Sequence, residues 1–242
     1  MPFKLKKSLR KKTAGSYCSA VIAAAGSSNR MNGVNKLFIE LLDKPVLAHV
    51  LLAFEQCEKI NEIVIVTKES DTIKISEIID NYDISKVSKL IYGGETRLQS
   101  VLNGVLAVSE KAKLIAIHDA ARPCINQTTI IKTIDAAIQL HAASPAVKVT
   151  STIKKVEKNT VIETVDRSNL YEFQTPQIFD ADLIKAALTN AVVKSLEITD
   201  DCSAVEAIGG TVYMTEGSYH NIKLTTKDDI LIAESILASF YR

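Results

Sequence analysis

Short apolar runs rich in Val and Ile alternate with stretches of helical periodicity from Cys18 onward, and this alternation constrains the fold more strongly than any other feature. Such a pattern is typical of β-α units built around a mainly parallel sheet. The runs are continuously apolar, as expected for strands buried on both faces. They predict strands at residues 18–24, 62–67, 89–93, 114–118 and 143–149. The sequence therefore predicts an α/β fold with helices on both faces of its sheet.

Helical stretches separate the predicted strands. They predict helices at residues 45–55, 71–80, 98–109 and 128–141. Pro45 fits the first turn of its helix, where the missing N–H would have no partner in any case. After residue 180 the pattern predicts helices at 181–190, 203–208 and 227–239, with a strand at 211–215.

Residues 151–169 break this alternation of strands and helices. Apolar and polar side chains alternate here around a Lys158-Asn159 turn, a pattern typical of a β-hairpin. An isolated hairpin cannot bury its own apolar face. We therefore expect a protruding β-arm at about 151–169 that packs on a second subunit.

Composition excludes disorder for most of the chain. Of its 242 residues, 47% are hydrophobic and 24% are charged, which is far from the composition of disordered proteins. The longest apolar runs fall well short of the roughly 18 residues of a membrane-spanning helix, so we expect no membrane partner. We expect a single domain at 17–242.

Basic residues concentrate at the beginning of the chain. Residues 1–12 contain six Lys or Arg and no acid, and we expect 1–16 to form a basic, disordered extension. The remainder carries 23 basic and 28 acidic residues, so its formal net charge is −5. This mildly acidic body argues against nucleic-acid binding, which needs bases clustered over a face. Binding of nucleic acid through residues 1–12 stays open as an alternative.

The cysteines bear on the compartment in which the protein works. They are Cys18, Cys57, Cys124 and Cys202, and no two of them form a CxxC pair. Their wide spacing favours reduced thiols over a disulfide framework or a zinc site. No apolar stretch of the signal-peptide type follows the basic residues before the first strand. We therefore expect a cytoplasmic protein.

The loop after the first predicted strand combines small residues with two cations. Ala24, Ala25 and Gly26 would let backbone N–H groups approach a phosphate chain closely. Arg30 and Lys36 would supply positive charge. The segment contains neither GxxxxGK[ST] nor GxGxxG, so it is neither a P-loop nor a dinucleotide fingerprint. A small-residue loop with two surface cations is the alternative interpretation.

Two further loops follow predicted strands. Asp119 stands just past the strand at 114–118, where open α/β sheets bind ligands, and one carboxylate together with substrate phosphates can hold Mg²⁺. A helix cap or turn residue is the alternative for Asp119. The loop Gly93-Gly94-Glu95-Thr96 precedes a predicted helix, and Thr96 could serve there simply as its N-cap.

Seven segments of this chain, in collinear order over residues 17–240, resemble those of one enzyme family, the 2-C-methyl-D-erythritol 4-phosphate cytidylyltransferases. The segments are Ala24-Ala25-Gly26 with Arg30 and Lys36, Gly93-Gly94 with Arg97 and Ser100, and residues 118–123, 164–167, 174–177, 198–201 and 221–223. The resemblance implies a Rossmann-like nucleotidyltransferase fold with a protruding β-arm. It also implies transfer of CMP from CTP to 2-C-methyl-D-erythritol 4-phosphate, with Mg²⁺ required. The products would be pyrophosphate and 4-diphosphocytidyl-2-C-methyl-D-erythritol, in isoprenoid precursor biosynthesis.

The resemblance implies a role for each matching residue. Arg30 and Lys36 match positions that stabilise charge at the α-phosphate, and Asp119 matches the metal-binding position. The positions that hold the cytidine nucleotide are Ala24, Ala25, Gly26, Gly94, Glu95 and Ser100. Those that position the second substrate are Arg167, Lys223, Arg122, Thr152 and Thr175. The family's arm is exchanged across a homodimer, so Thr152 and Arg167 would serve the partner's site.

The chemistry of this reaction agrees with these residue types. Its nucleophile is a phosphate monoester, whose second pKa of about 6 leaves it largely dianionic, so the site needs clustered cations rather than a general base. We accordingly expect His118 to be a structural residue. A cytidylyltransferase for another polyol phosphate, such as ribitol 5-phosphate, remains an alternative because it would share the nucleotide half. A module that senses CTP without turnover is a further alternative, although cations at both substrates argue against it.

Overall fold

A mainly parallel sheet of eight strands lies at the centre of the chain in a computed structural model, which describes residues 16–26 and 35–240. In chain order the strands are β1 (Cys18–Ala23), β2 (Glu40–Leu41), β3 (Lys44–Pro45), β4 (Glu62–Thr67), β5 (Val87–Tyr92), β6 (Leu114–Asp119), β7 (Ala142–Lys148), β8 (Ile153–Glu157), β9 (Thr160–Val165), β10 (Tyr171–Phe173), β11 (Gln177–Asp180) and β12 (Tyr213–Glu216). The pairs β2–β3 and β8–β9 form separate two-stranded sheets. Arg30 and all but the last residue of the extension predicted at 1–16 lie outside the described residues.

The order of the strands creates a switch point beside β1. Hydrogen-bonded neighbours follow the order β10-β7-β11-β6-β1-β4-β5, and β12 also pairs with β7. β1, β4 and β5 are parallel in chain order, and β6 then returns to pair in parallel with the opposite edge of β1. β10 and β11 are antiparallel to their neighbours. In open α/β sheets, ligands bind at the carboxyl ends of the strands that flank such a point.

Helices cover both faces of the sheet, which confirms the predicted fold class. They are α1 (Val46–Glu55), α2 (Thr72–Asn81), α3 (Arg97–Ala107), α4 (Gln127–Leu140), α5 (Ala181–Val193), α6 (Asp201–Glu206) and α7 (Asp228–Phe240). On one face, α1 and α4 bury side chains such as Phe54 and Ile130. On the other, α3 and α5 bury Val101 and Ile184. Within residues 16–26 and 35–240, no helix combines the length and the apolar character that crossing a bilayer requires.

The predicted elements lie close to the observed ones. The strand predicted at 62–67 is β4, and the bounds of the other predicted strands and helices agree within three residues. The placement of Pro45 in the first helical turn is wrong. Pro45 is the N-cap of α1, with φ −56° and ψ 144°, because it pairs with Glu40 in the β2–β3 hairpin and the helix begins at Val46.

The predicted β-arm is a hairpin of β8 and β9 that pair only with each other among the described strands. Its turn residues Lys158 and Asn159 both have positive φ, 46° and 65°. Two adjacent residues with positive φ are typical of a tight two-residue hairpin turn, whose twist matches that of the strands it joins. Side chains on both faces of the hairpin are exposed. The arm therefore leaves its apolar side chains without cover from the described part of the chain.

Candidate active site

A cleft of about 740 Å³ lies where the chain leaves the carboxyl ends of β1, β4, β5 and β6. Its wall is formed by the loops that follow these strands and by two lysines from elsewhere in the chain, Lys36 and Lys223. Ala23 of β1 and Asp119 of β6 are paired residues at the switch point, so the loop after β1 and the loop after β6 begin at the same level of the sheet. The parallel topology thus gathers segments that are distant in sequence.

The loops after β1 and β5 approach each other closely at Gly93. A Cβ atom at Gly93 would lie 2.6 Å from the Cβ of Ala25 and 2.8 Å from the Oγ of Ser100, so only glycine permits this contact. The Ser100 hydroxyl accepts the N–H of Gly94 at 3.0 Å. Both loops line the cleft, and their small residues would let backbone N–H groups approach a phosphate chain closely.

The β5–α3 loop contains the N-cap that the sequence offered as an alternative, and it also lines the cleft. The Thr96 hydroxyl accepts the N–H of Gln99 at 3.1 Å, and the Gln99 side chain accepts the N–H groups of Glu95 and Thr96, which completes a capping box. Gly94 and Glu95 nevertheless line the cleft. The cap fixes the loop, and the loop forms part of the wall.

Three cations converge on the nearly buried carboxylate of Asp119. Lys223 Nζ lies 2.7 Å from Oδ2, Arg97 Nη2 lies 3.5 Å from Oδ1, and Arg122 Nε lies 4.0 Å from Oδ2. Burial by itself would raise the pKa of Asp119, but the charges of Arg97 and Lys223 outweigh it and hold that pKa well below its usual range. Asp119 is therefore ionised at neutral pH.

A chain of hydrogen bonds through Thr175 and His118 fixes the backbone of Asp119. The N–H of Asp119 donates to Thr175 Oγ1 at 3.1 Å, and the same hydroxyl bonds His118 Nδ1 at 3.1 Å. His118 Nε2 lies 3.3 Å from the carbonyl oxygen of Arg122, so this nitrogen carries the ring proton. Burial lowers the pKa of His118 to about 4. A buried, neutral imidazole agrees with the structural role that we expected for His118.

One short segment links Lys36 and Lys223 in the wall of the cleft. The N–H of Leu224 donates to the carbonyl of Ala121 at 2.8 Å, and Lys36 Nζ donates to the carbonyl of Leu224 at 2.9 Å. Arg122 Nη1 donates to the carbonyl of Asn221 at 2.7 Å. These bonds fix residues 221–224 beside the loop that follows β6, and they place Lys223 against Asp119.

The cleft gathers most of the predicted site residues. Those that line it are Ala24, Ala25, Gly26, Lys36, Gly94, Glu95, Ser100, Asp119 and Lys223. Arg122 and Thr175 are buried and contact Asp119 from behind rather than lining the cleft. Thr152 and Arg167 lie on or beside the exposed arm, outside the cleft of their own chain. Arg30 lies outside the described residues.

Sequence reasoning missed one pair that belongs to this site. Arg97 lines the cleft, and both its Nη atoms donate to the carboxylate of Asp201, at 2.9 and 2.8 Å. Both residues stand in segments that carried the family resemblance, which was the available signal. Since 104 positions separate them in sequence, no local pattern could pair them.

Asp119 is the candidate metal ligand. Within residues 16–26 and 35–240, no group of three or more His, Cys, Asp or Glu side chains is placed to hold a metal ion. Magnesium, however, is commonly bound by one or two carboxylates together with substrate phosphates, and Asp119 fits a site of that kind. Its Oδ2 is bonded to Lys223, so an ion at this oxygen would replace the ammonium group.

A mainly parallel α/β sheet whose switch point carries small-residue loops, clustered cations and the carboxylate of Asp119 is typical of nucleotidyltransferases. A family model described as IspD, 2-C-methyl-D-erythritol 4-phosphate cytidylyltransferase, matches residues 18–239. The chain belongs to this family, and it is accordingly a cytidylyltransferase.

Individual relatives agree with this membership. A 2-C-methyl-D-erythritol 4-phosphate cytidylyltransferase of Halalkalibacterium halodurans is 45% identical over 91% of this chain and 96% of its own length. One from Clostridium botulinum is 42% identical over 90% of this chain and 96% of its own length. The crystal structure of 4-diphosphocytidyl-2C-methyl-D-erythritol synthase from Anaerococcus prevotii superposes with a TM-score of 0.82, at 32% identity over 92% of this chain and 96% of that one.

Proposed function

We propose that this enzyme transfers CMP from CTP to 2-C-methyl-D-erythritol 4-phosphate in the cleft at the switch point. An oxygen of the polyol phosphate forms a bond to the α-phosphorus of CTP. The bond from that phosphorus to the oxygen bridging the β-phosphate breaks, and pyrophosphate leaves with the electron pair. The observation that carries this proposal is the convergence of Lys36, Lys223 and Asp119 on one cleft beside the two small-residue loops.

The cations would perform most of the catalysis. A dianionic phosphate and a triphosphate repel each other until positive charge neutralises both and holds them in line. We assign to Lys36 and Arg30 the stabilisation of charge that develops at the α-phosphate. Ala24, Ala25, Gly26, Gly94, Glu95 and Ser100 would hold the cytidine nucleotide. Lys223, Arg167, Arg122, Thr152 and Thr175 would position the polyol phosphate.

We assign Asp119 as the protein ligand of Mg²⁺. A bound ion would neutralise charge on the phosphates of the nucleotide. Asp119 is ionised and nearly buried, and Lys223 already shows that its Oδ2 accepts a cation. Release of Lys223 from Asp119 would leave that ammonium group available for the phosphate of the second substrate.

We infer that the arm mediates a homodimer and carries Thr152 and Arg167 to the partner's cleft. Apolar side chains at Ile153, Val156 and Val161 are exposed on the hairpin. Both predicted positioning residues of this region lie outside the cleft of their own chain. Packing of the arm on a second copy would cover the apolar side chains and complete the site at once.

We further propose a cytoplasmic enzyme with one catalytic domain at 17–242. All four cysteines are free and buried, and reduced thiols are usual in compartments rich in glutathione and thioredoxin.

A direct assay tests the proposed reaction. Purified protein, Mg²⁺, each of the four nucleoside triphosphates and each candidate polyol phosphate are mixed, and pyrophosphate release is measured. We expect release with CTP and 2-C-methyl-D-erythritol 4-phosphate only. Release with ribitol 5-phosphate instead would establish the alternative cytidylyltransferase. CTP binding with no pyrophosphate from any acceptor would favour the sensing module.

A further inference from the structure

Arg97 and Asp201 form a two-pronged ion pair beside the cleft. The Asp201 carboxylate is fully buried, with 0% of its surface exposed, and it receives both Nη atoms of Arg97. The Arg97 side chain retains 38% exposure and lines the cleft. A two-pronged guanidinium–carboxylate pair fixes orientation as well as distance.

Stability alone does not account for this pair. Taking a carboxylate fully out of water costs free energy that an ion pair often does not recover, so buried pairs are weak evidence for stability. Arg97 is also the first residue of α3, where the helix dipole disfavours a positive charge. Local rules that are broken in this way are expected at functional sites.

Asp201 is itself held from behind. Gln177 Oε1 accepts the backbone N–H groups of Asp201 and Cys202, each at 3.0 Å, and Gln177 Nε2 donates to Asp200 at 2.8 Å. Gln177 lies on β11, which pairs with β6. The start of α6 is thus bonded to the central sheet, and Asp201 offers Arg97 a rigid support.

The Arg97 guanidinium has more N–H donors than its two carboxylate partners use. Of its five N–H groups, two go to Asp201 and a third faces Asp119 at 3.5 Å. Arg97 follows Gly94 and Glu95 in the same loop. The family resemblance implies that Gly94 and Glu95 contact the cytidine nucleotide. We propose that Arg97 is a further residue that binds the phosphates of the nucleoside triphosphate, and that Asp201 positions it. This inference rests on the proposed function, because it needs a nucleotide in this cleft.

Calorimetric binding of CTP with Mg²⁺, and without any second substrate, tests the proposal. Removing Arg97 alone would leave a buried carboxylate unpaired, so the informative variant is the neutral pair Arg97→Gln with Asp201→Asn. We expect its dissociation constant for CTP to rise about 10-fold or more, as is usual when hydrogen bonds to a charged group are lost. The rise should be smaller for CMP, which has fewer phosphates.

Single variants separate the two roles. Asp201→Asn should weaken CTP binding less than the double variant, because Arg97 keeps its charge but loses its support. The affinity of Arg97→Lys for CTP should lie between those of the wild type and the double variant. An ammonium group keeps the positive charge but cannot donate two parallel hydrogen bonds as a guanidinium does. Lys59→Ala is the matched control, since it removes a cation from the exposed Lys59–Asp135 pair outside the cleft, and it should leave CTP binding unchanged.

The outcomes distinguish this inference from the function on which it rests. A double variant with a lower Tm and an unchanged affinity for CTP, in a protein whose wild type binds CTP, would show that the pair is only structural. That result overturns the role of Arg97 and leaves the cytidylyl transfer intact. A wild type that does not bind CTP at all overturns both.

Discussion

Lys36 and Lys223 come from distant parts of the chain, and a single backbone carbonyl links them. Lys36 bonds the carbonyl of Leu224, the residue after Lys223. Asn35 also caps the short 3-10 turn that begins at Lys36, because its side chain accepts the N–H of Leu37. The position of Lys36 therefore depends on the segment that carries Lys223. We nevertheless expect Lys36 to affect turnover and Lys223 to affect binding of the polyol phosphate.

Lys36→Ala should slow turnover by about 10²-fold, because a charge that stabilises the transition state would be missing. Arg30→Ala should do the same if both cations act at the α-phosphate. Steady-state kinetics with saturating CTP and polyol phosphate measure the effect. Lys194→Ala, at the exposed end of α5, is the control and should retain the wild-type rate. Wild-type rates in both Lys36→Ala and Arg30→Ala would refute the roles assigned to them.

Lys223→Ala should chiefly raise the KM for the polyol phosphate, because a residue that binds substrate and transition state equally affects KM rather than kcat. We expect a rise of about 10-fold or more, as for a lost hydrogen bond to a charged group. The KM for CTP should change little. Lys227→Ala serves as the control, since Lys227 is exposed and does not line the cleft. A selective rise in the KM for CTP would instead move Lys223 to the nucleotide half.

A position at the cleft could be predicted from the chain's own pattern only where the residue follows a predicted strand, and Lys223 was expected there from the family resemblance alone. Ala24, Gly26 and Asp119 follow apolar strands, and a parallel sheet places such residues at one edge. Asp201 could not be assigned in this way, because its role depends on an arginine in another β-α unit. Contacts that come from the folded topology leave no periodic signal in the sequence.

At the scale of elements, Glu62 joins three segments at the amino end of β4, across the sheet from the cleft. Its carboxylate accepts the hydroxyl of Ser19 at 2.6 Å, the hydroxyl of Ser88 at 2.7 Å and the N–H of Ser109 at 2.9 Å. These partners belong to β1, β5 and the loop after α3. Burial raises the pKa of Glu62, but the three hydrogen bonds outweigh it and the pKa lies below its ordinary value.

Glu62→Gln should lower the free energy of unfolding at pH 7 by about 2 kcal/mol, since hydrogen bonds to a charged acceptor are lost. A carboxylate whose pKa is lower in the folded state stabilises the fold above its unfolded pKa of 4.5, and this stabilisation disappears as the pH falls through the folded value. The difference between the wild type and Glu62→Gln should therefore shrink between pH 7 and pH 3.5. Urea unfolding at both pH values measures it.

Glu163→Gln, on the exposed strand β9, provides the control for Glu62→Gln and should match the wild type at both pH values. If the destabilisation by Glu62→Gln were the same at pH 3.5 as at pH 7, the effect would come from packing and not from the ionised carboxylate.

Elements with a long, uniform pattern could be predicted from sequence, whereas the short strands β10 and β11 could not. The six-residue run at 62–67 has four consecutive apolar residues at 63–66, and it is β4. β10 and β11 have three and four residues, too few to show a period, and they pair antiparallel within a mainly parallel sheet. Their positions depend on β6 and β7, which lie elsewhere in the sequence.

At the scale of the whole molecule, two of the residues that we assign to the site lie outside the cleft of the described chain. Its cleft lacks Thr152 and Arg167, while an uncovered arm holds both of them at its base. Arg167 donates to the carbonyl of Thr150, which fixes its side chain beside the arm rather than toward its own cleft. An exchange of arms between two copies would explain both the exposed apolar side chains of the arm and the distance of Arg167 from its own cleft.

Mixing two impaired variants, assayed with the polyol phosphate well below the wild-type KM, tests this exchange. Lys36→Ala removes a cation from its own cleft, and Arg167→Ala removes one from the partner's cleft. In a mixed dimer, the cleft of the Arg167→Ala subunit is intact and receives Arg167 from its partner. After unfolding and refolding together at equal amounts, we expect about a quarter of the wild-type activity, because half of the dimers are mixed and each has one complete site. A mixture no more active than its components would place Arg167 in its own chain's cleft, as would a monomer in sedimentation equilibrium.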